Sequence, residues 1–318
     1  MNEQQAISKM VRPSAPKGNW GGVIQILVTN ACDLACPNCT QASHVRRKAT
    51  FMSVEHFEEA VVNLKDYHGI AGVFGGNPAL HPKFETLCEI FRKHIPFHRR
   101  GIWCNHPHGH GSIMRDTFNP TRSNLNVHGV QSAYDEFVKD WPQSHPFGLE
   151  GSDSRHAPVW VSPLDWDHLP RGIANTEENR YDYIAGCDVG LNWSALYGEF
   201  RGQLRFWFCE VAGAQAILNQ NKPDYPDTGH PVTPRCWDEP MSAYVEQVRQ
   251  HCHRCAVPYN GYGEIATKRD GYDQVSAEYE GLCRPKYPER LVQLVTSPEE
   301  MRAEALECVT HYVQNAMK

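Results

Sequence analysis

The sequence predicts a mixed α/β protein in which strand-helix units build a parallel sheet and an antiparallel hairpin follows. In the first half of the 318-residue chain, short apolar runs alternate with segments of helical periodicity, which is typical of parallel strands joined by helices. After about Asn192 this alternation stops, and two apolar runs flank Gly202 as in a hairpin. The length allows roughly two domains, or one barrel-sized domain with an appendage.

The elements of the first half follow from apolar patterning and from residues that start or end them. The predicted strands cover residues 23–28, 70–74, 101–104, 125–128 and 158–162. Ser53 is placed to cap a helix that runs to about Asp66, and a second helix covers residues 84–94. This order places the carboxyl ends of the parallel strands at one edge of the sheet.

The second half begins with the hairpin and ends with a strand and a helix. The predicted hairpin strands cover residues 194–200 and 204–208. Cys209 opens an alanine-rich helix that reaches about Asn219, and residues 240–251 form another helix. Near the end, residues 291–295 are a predicted strand, and Ser297 precedes a proline and two acidic residues that favour a helix start.

Composition excludes several classes of protein and directs attention to the cysteines. The net charge is -6, from 31 basic and 37 acidic residues, which argues against nucleic acid as a partner. No apolar stretch approaches the roughly 18 residues of a membrane span, and residues 1–19 lack the apolar core of a signal peptide. We therefore expect a cytoplasmic protein with no membrane partner. Its twelve cysteines are then expected to be free thiols, because the cytosol is reducing.

Three of these cysteines form a compact run directly after the first predicted strand. Cys32, Cys36 and Cys39 have the spacing Cys-x3-Cys-x2-Cys. Soft thiolate ligands suit iron-sulfur clusters, and three of them can hold three corners of one cubane. The fourth iron is then left open, as a catalytic metal position requires.

This run after a first strand resembles the signature of the radical S-adenosylmethionine (SAM) superfamily. The resemblance implies a partial (β/α)6 TIM-like barrel in which Cys32, Cys36 and Cys39 hold a [4Fe-4S] cluster whose open iron chelates SAM. It also implies a flavodoxin- or ferredoxin-type electron donor. In that family, one electron from the reduced cluster cleaves SAM to methionine and a 5'-deoxyadenosyl radical, which abstracts a hydrogen atom. Asn38 departs from the family, which usually has an aromatic residue there.

Further matches to the family are found at the ends of the predicted strands. Residues 75–78 stand where the family has Gly-Gly-Glu-Pro, whose backbone binds the methionine amino group of SAM. Polar residues of later strands meet the ribose or carboxylate of SAM in the family, although here each is equally well explained as a capping or turn residue. The residues that the resemblance implies for SAM binding are Gly75, Gly76, Asn77, Pro78, Asn105, Ser123, Asn124 and Asn126.

The later cysteines resemble a SPASM- or twitch-type domain, which carries an auxiliary [4Fe-4S] cluster in many radical SAM enzymes. The likeness rests on a cysteine, a hairpin with a central Gly202, and further cysteines after a helix. It implies a second cluster held by four ligands, for any of which Cys236 is the rival. The implied ligands are Cys187, Cys209, Cys252 and Cys255. Zinc at these four is the alternative, as is a zinc ribbon joining Cys36 and Cys39 to the last pair.

The remaining cysteines and a histidine tract have other predicted roles. Cys88 and Cys308 fall on apolar helical faces and are expected in the core. Since a thiol can return a hydrogen atom to a carbon radical, Cys104, Cys236 and Cys283 are candidate hydrogen-atom donors. The tract with His106, His108 and His110 is either a transition-metal site or a solvated or substrate-facing loop.

The predicted organisation has four parts. An N-terminal extension covers residues 1–19, and the core barrel covers residues 20–185. Residues 186–290 form the small α+β auxiliary-cluster domain. Residues 291–318 form a C-terminal strand and helix that pack on the core. The second cluster is expected close to the substrate, where it would accept an electron in a dehydrogenation.

The predicted function is hydrogen abstraction from a small polar substrate such as a sugar, aminosugar or nucleoside, giving epimerisation, dehydrogenation or rearrangement. We expect no cobalamin-binding domain and no leader-peptide module before the first strand, which favours this substrate class. A maturase that crosslinks or epimerises a ribosomally made peptide is one alternative. A non-catalytic zinc or iron-sulfur scaffold is the other.

Overall fold

A computed structural model describes residues 1–17, 21–34, 39–41, 49–149, 176–192, 194–255 and 257–259. The helices are α1 (Glu3–Lys9), α2 (Val54–Asn63), α3 (Phe84–His94), α4 (Gly111–Thr117), α5 (Gln131–Asp140), α6 (Glu177–Ala185), α7 (Asp188–Asn192), α8 (Glu210–Asn219) and α9 (Val245–His251). The strands are β1 (Val23–Thr29), β2 (Ile70–Gly75), β3 (Arg100–Ile102), β4 (Ser194–Phe200), β5 (Gln203–Trp207) and β6 (His230–Pro231). Short 3-10 helices cover Pro78–Leu80, Phe97–Arg99, Pro120–Arg122, Cys236–Asp238, Met241–Tyr244, Cys252–Arg254 and Val257–Tyr259.

The six strands form one mixed sheet in the order β3-β2-β1-β4-β5-β6. The first four in this order are parallel, and β5 and β6 are antiparallel additions. The predicted mixed α/β class is therefore confirmed. The hairpin of β4 and β5, which the sequence assigns to a separate auxiliary domain, continues the core sheet because β4 pairs with β1.

The centre of the sheet is buried on both faces. Every residue of β1 and β2 is buried, as expected for parallel strands with covered faces. Helix α2 begins at the predicted cap, where the Ser53 hydroxyl accepts a hydrogen bond from the His56 N–H, but it ends at Asn63 and not near Asp66. Helix α3 has the predicted bounds and packs on α2.

The hairpin turn explains why Gly202 follows β4. Arg201 and Gly202 both adopt positive φ angles, 50° and 74°. Two consecutive residues of this kind match the right-handed twist of the paired strands, and glycine adopts such angles without steric cost. The predicted hairpin is therefore confirmed.

Two predicted elements differ from the observed structure. Residues 125–128 form no ladder. Two isolated parallel bridges occur in this part of the chain, from Asn124 to Trp103 and from Asn126 to Phe147. The Asn126 carboxamide oxygen accepts the His128 N–H, and the positive φ of His128 turns the chain away before a strand can extend. The predicted helix 240–251 starts with a 3-10 turn and becomes α-helical only at Val245.

Several other predictions lie outside the described residues. These are the strands 158–162 and 291–295 and the helix that starts at Ser297. Within the described parts of the chain, no helix is both long enough and apolar enough to cross a membrane.

Candidate active site

The carboxyl ends of β1, β2 and β3 bring three sequence-predicted groups to one edge of the sheet. Cys32 follows β1, Gly75 ends β2, and Asn105 follows β3. Cys32 and Cys39 are partly exposed thiols, and the Cys32 sulfur accepts the Leu34 N–H at 3.4 Å. Cys36 lies outside the described residues. Two of the three predicted cluster ligands therefore lie on the loop that leaves this edge.

Gly75 and Gly76 allow the end of β2 to touch the chain that leads into Cys32. The Gly76 N–H donates to the Thr29 carbonyl at 2.9 Å. A Cβ atom on Gly75 would lie 2.5 Å from the Thr29 carbonyl oxygen, and one on Gly76 only 2.2 Å from that of Ala31. Since neither approach is sterically tolerable, both positions require glycine.

The buried Asn77 carboxamide joins three chain segments at this edge. Its Nδ2 donates to Asp33 Oδ2 at 3.1 Å and to the His106 carbonyl at 3.0 Å. Its Oδ1 accepts the Ala79 N–H at 3.2 Å and the Cys104 thiol at 3.1 Å. Asn77 therefore fixes the cysteine loop relative to the loop after β3, a role that the sequence did not indicate.

Replacing Asn77 with alanine should lower the free energy of unfolding by about 1–3 kcal/mol, because it leaves several buried polar groups without partners. Urea unfolding followed by circular dichroism measures this. The matched control is Asn221→Ala, at an exposed position, for which a change within about 0.5 kcal/mol is expected. Equal stabilities of the two variants would contradict the role given to Asn77.

A polar cluster lies beside the cysteine loop at the same edge. His108 Nε2 is 2.8 Å from Asp33 Oδ2, and the His106 ring stacks on that of His108 with centroids 4.2 Å apart. Burial raises the pKa of Asp33, but hydrogen bonds from His108 and Asn77 outweigh it and give a net lowering. Burial lowers the pKa of His106, and Glu136 Oε2 lies 3.7 Å from its Nδ1.

The third histidine of the tract lies apart from this cluster. His110 packs against the Phe84 ring, with centroids 5.2 Å apart. Among the residues that the structure describes, no three histidine, cysteine or acidic side chains converge as ligands of a single metal ion. The tract thus supplies two histidines to the cysteine loop and one to the packing of α3.

The four polar residues predicted after the second strand have different surroundings. Asn105 is 7% exposed, and its Oδ1 is buried with no hydrogen-bond partner among the described residues. The Ser123 hydroxyl instead donates to the Asn119 carbonyl at 2.8 Å. Asn124 pairs through its backbone with Trp103 and Ile102. Asn105 Oδ1 is therefore a buried oxygen at the sheet edge that can still accept a hydrogen bond.

The four predicted auxiliary cysteines line a single apolar cavity. These residues are Cys187, Cys209, Cys252 and Cys255. Burial raises the pKa of Cys209 to about 12 and that of Cys255 well above its ordinary value. The thiols therefore stay protonated unless a positively charged metal centre stabilises their thiolates.

The helices and strands of the hairpin region bring these cysteines together. Cys209 is the N-cap of α8, directly after β5. Cys252 begins the 3-10 turn after α9 and Cys255 caps its end, where the Cys255 N–H donates to the Cys252 carbonyl at 3.4 Å. Cys187 precedes α7, which leads into β4.

The cavity lies at the opposite end of β1 from Cys32. Cys187 precedes the start of β4, which pairs with the start of β1, and Cys209 follows the end of β5 at the same level. Seven residues of β1 at about 3.3 Å each separate the two ends by roughly 20 Å. The expectation that the second cluster lies close to the substrate therefore finds no support in this topology.

Two polar side chains near the cavity were not predicted from the sequence. Gln215 is 3% exposed and lines the cavity; its Oε1 is 3.3 Å from His251 Nδ1, and its Nε2 has no partner among the described residues. Lys17 is 2% exposed, and its Nζ donates to the Gly190 carbonyl at 2.9 Å. Burial lowers the pKa of Lys17 to about 8, although Cys209 and Cys187 oppose this.

The other cysteines are distributed between the core and the two ends of the sheet. Cys88 is buried on α3, which confirms its predicted place in the core. Cys104 is buried beneath Asn77 at the Cys32 end. Cys236 lies 3.2 Å from the Tyr197 hydroxyl and is not among the residues that line the four-cysteine cavity. Cys283 and Cys308 are outside the described residues.

A family model matches the part of the chain that contains the first of these sites. Residues 26–143 match the family model of the radical SAM superfamily. A solved structure, "Crystal structure of BtrN in complex with AdoMet and 2-DOIA", aligns with a TM-score of 0.43 and 14% identity over 73% of this chain and 92% of that chain. No curated protein sequence matches. The family match spans the Cys32 loop and the strands around it, so this part of the chain carries a radical SAM domain.

Proposed function

We propose that this protein is a radical SAM enzyme that cleaves SAM reductively at the Cys32 end of the sheet and abstracts hydrogen from a small polar substrate. One observation carries the proposal: the cysteine loop, the Gly75-Gly76 contact and the free Asn105 acceptor meet at one sheet edge within the matched region. Ligands of parallel sheets bind at this edge. The donor set of accessible thiols beside a buried orphan acceptor fits a [4Fe-4S] cluster with SAM.

Each group at this edge has a distinct proposed role. Cys32, Cys36 and Cys39 would hold the cluster, which supplies the electron that splits SAM into methionine and the 5'-deoxyadenosyl radical. The backbone of residues 75–78, which stand where the family motif binds the methionine amino group, would hold that part of SAM. Asn105 Oδ1 would accept a hydrogen bond from SAM, which removes the cost of its unpaired burial.

The polar cluster supports a substrate with hydroxyl or amino groups. Asp33 and His108 are hydrogen-bonded to each other and partly exposed, so they can bind such groups. In a dehydrogenation, the substrate radical that remains after hydrogen abstraction loses a proton and an electron to form a carbonyl. His108 lies at this edge and can accept this proton. Its presence favours dehydrogenation over epimerisation and rearrangement.

The four-cysteine cavity is the proposed site of a second, fully ligated [4Fe-4S] cluster. All four cysteines line one apolar space, and Gln215, whose amide nitrogen has no partner among the described residues, lines it as well. A cluster with four protein ligands has no open iron for a substrate. Its place at the far end of β1 therefore favours electron exchange over substrate binding.

Anaerobic reconstitution tests this function. Two cubanes correspond to roughly eight irons per chain, and dithionite should then release 5'-deoxyadenosine from SAM. Metal analysis and chromatography measure the two quantities, with unreduced protein as the control. Bound zinc with iron near zero would exclude the radical mechanism and favour a scaffold.

A further inference from the structure

The cavity wall formed by α8 contains a polar side chain that the apolar surroundings do not satisfy. Helix α8 is buried along almost its whole length, and alanine, valine and isoleucine make up half of it. Gln215 lies on this helix and lines the same cavity as the four cysteines. A buried amide donor without a partner costs about 1–3 kcal/mol. A fold tolerates this cost most easily when a bound group supplies the missing acceptor.

The Gln215 carboxamide is placed with its oxygen toward His251 and its nitrogen as the free end. The Thr228 hydroxyl lies 2.7 Å from His251 Nε2, and His251 Nδ1 lies 3.3 Å from Gln215 Oε1. When the hydroxyl donates to Nε2, the ring proton is on Nδ1 and points to the Gln215 oxygen. The Nε2 group of Gln215 is then the end left without an acceptor.

A second observation supplies positive charge to the same place. Lys17 is buried, and Gly190, whose carbonyl accepts its Nζ, lines the cavity together with Cys187. The Nζ–carbonyl distance of 2.9 Å holds the ammonium group against this part of the cavity wall. A buried ammonium group needs an anionic partner, and an iron-sulfur cluster with four thiolates is negatively charged.

We propose that Gln215 and Lys17 set the reduction potential of the auxiliary cluster, Gln215 by an N–H to sulfur hydrogen bond and Lys17 by its charge. This rests on the proposed auxiliary cluster. Hydrogen bonds to cluster sulfurs and nearby positive charge stabilise the reduced, more negative state, so both residues raise the potential. They are positioning residues, because neither touches the reacting substrate.

The test uses protein in which the first cluster is removed by alanine at Cys32, Cys36 and Cys39, so that the auxiliary cluster alone gives the electron paramagnetic resonance signal. Gln215→Met keeps the length of the side chain and removes its donors; Lys17→Met removes the charge. Redox titration should give a more negative midpoint potential for each variant and a larger shift for both together. Gln220→Met and Lys9→Met, which alter residues outside the cavity lining, should leave the potential unchanged.

The outcomes separate this inference from the proposed cluster. If the parent protein binds no second cluster, the auxiliary site itself is wrong. If the cluster loads but both variants keep the parent potential, the inference alone is overturned. If a variant does not bind the auxiliary cluster, the parent protein is tested instead, with its glutamine side-chain amides labelled with ¹⁵N. Coupling of a labelled nitrogen to the reduced cluster supports the hydrogen bond. The absence of such coupling overturns it.

Discussion

Replacing Cys36 with alanine should abolish reductive cleavage of SAM. With only Cys32 and Cys39 left on the loop, the cluster loses one of the three ligands that the family signature supplies. A cubane with two protein ligands leaves two irons open and is not retained stably. The variant should bind roughly four irons, those of the auxiliary site, and release no 5'-deoxyadenosine under dithionite.

The control for this variant is Cys88→Ala, because Cys88 is a buried thiol of α3 away from both cysteine groups. It should keep the parent iron content and SAM cleavage, even if its stability falls. The assignment of the first cluster is wrong if Cys36→Ala still releases 5'-deoxyadenosine at the parent rate.

The sequence was sufficient for those elements whose pattern is local. The central strands β1 and β2 are mainly apolar, and the hairpin carries a glycine where a positive φ is needed. Helices α1, α4 and α5 were not predicted, because they are short or mainly polar and depend on packing for stability. The pairing of β4 with β1 was not predictable either, since nothing local links residues so far apart in the chain.

In the candidate site too, some features are visible in the sequence and others depend on contacts between distant segments. The spacing of Cys32, Cys36 and Cys39 and the two glycines after β2 are visible in the sequence. By contrast, the role of Asn77 depends on three segments meeting around one carboxamide. A resemblance could place Asn77 in a motif, but it could not show that its polar atoms are already paired within the protein.

The N-terminal extension illustrates what long-range contacts add. The sequence identified it only as a segment before the first strand. In the structure, Glu3 accepts hydrogen bonds from Arg249 at 2.7 Å and from the Tyr181 hydroxyl at 3.0 Å. Met10 lines the four-cysteine cavity, and Lys17 lies beside it. The extension is therefore part of the enclosure of the auxiliary site.

Removing two ligands of the auxiliary site, with Cys252→Ala/Cys255→Ala, should halve the iron content and eliminate product formation while SAM cleavage persists. The two cysteines line the cavity at the far end of β1, roughly 20 Å from the Cys32 end. Cleavage needs only the first cluster, so 5'-deoxyadenosine should still form. A substrate radical that must lose an electron would have no acceptor in this variant, so its product should disappear.

Cys236→Ala is the matched control, because Cys236 is the rival ligand and is not among the residues that line the cavity. Iron analysis, 5'-deoxyadenosine release and product formation from the cognate substrate should all match the parent protein in this variant. If Cys236→Ala instead loses half of the iron, the ligand set is wrong. If the double variant still turns substrate over at the parent rate, the auxiliary site takes no part in the reaction. Cys252, Cys255 and their cavity would then serve only to stabilise the hairpin region, which unfolding measurements on the same variant would show.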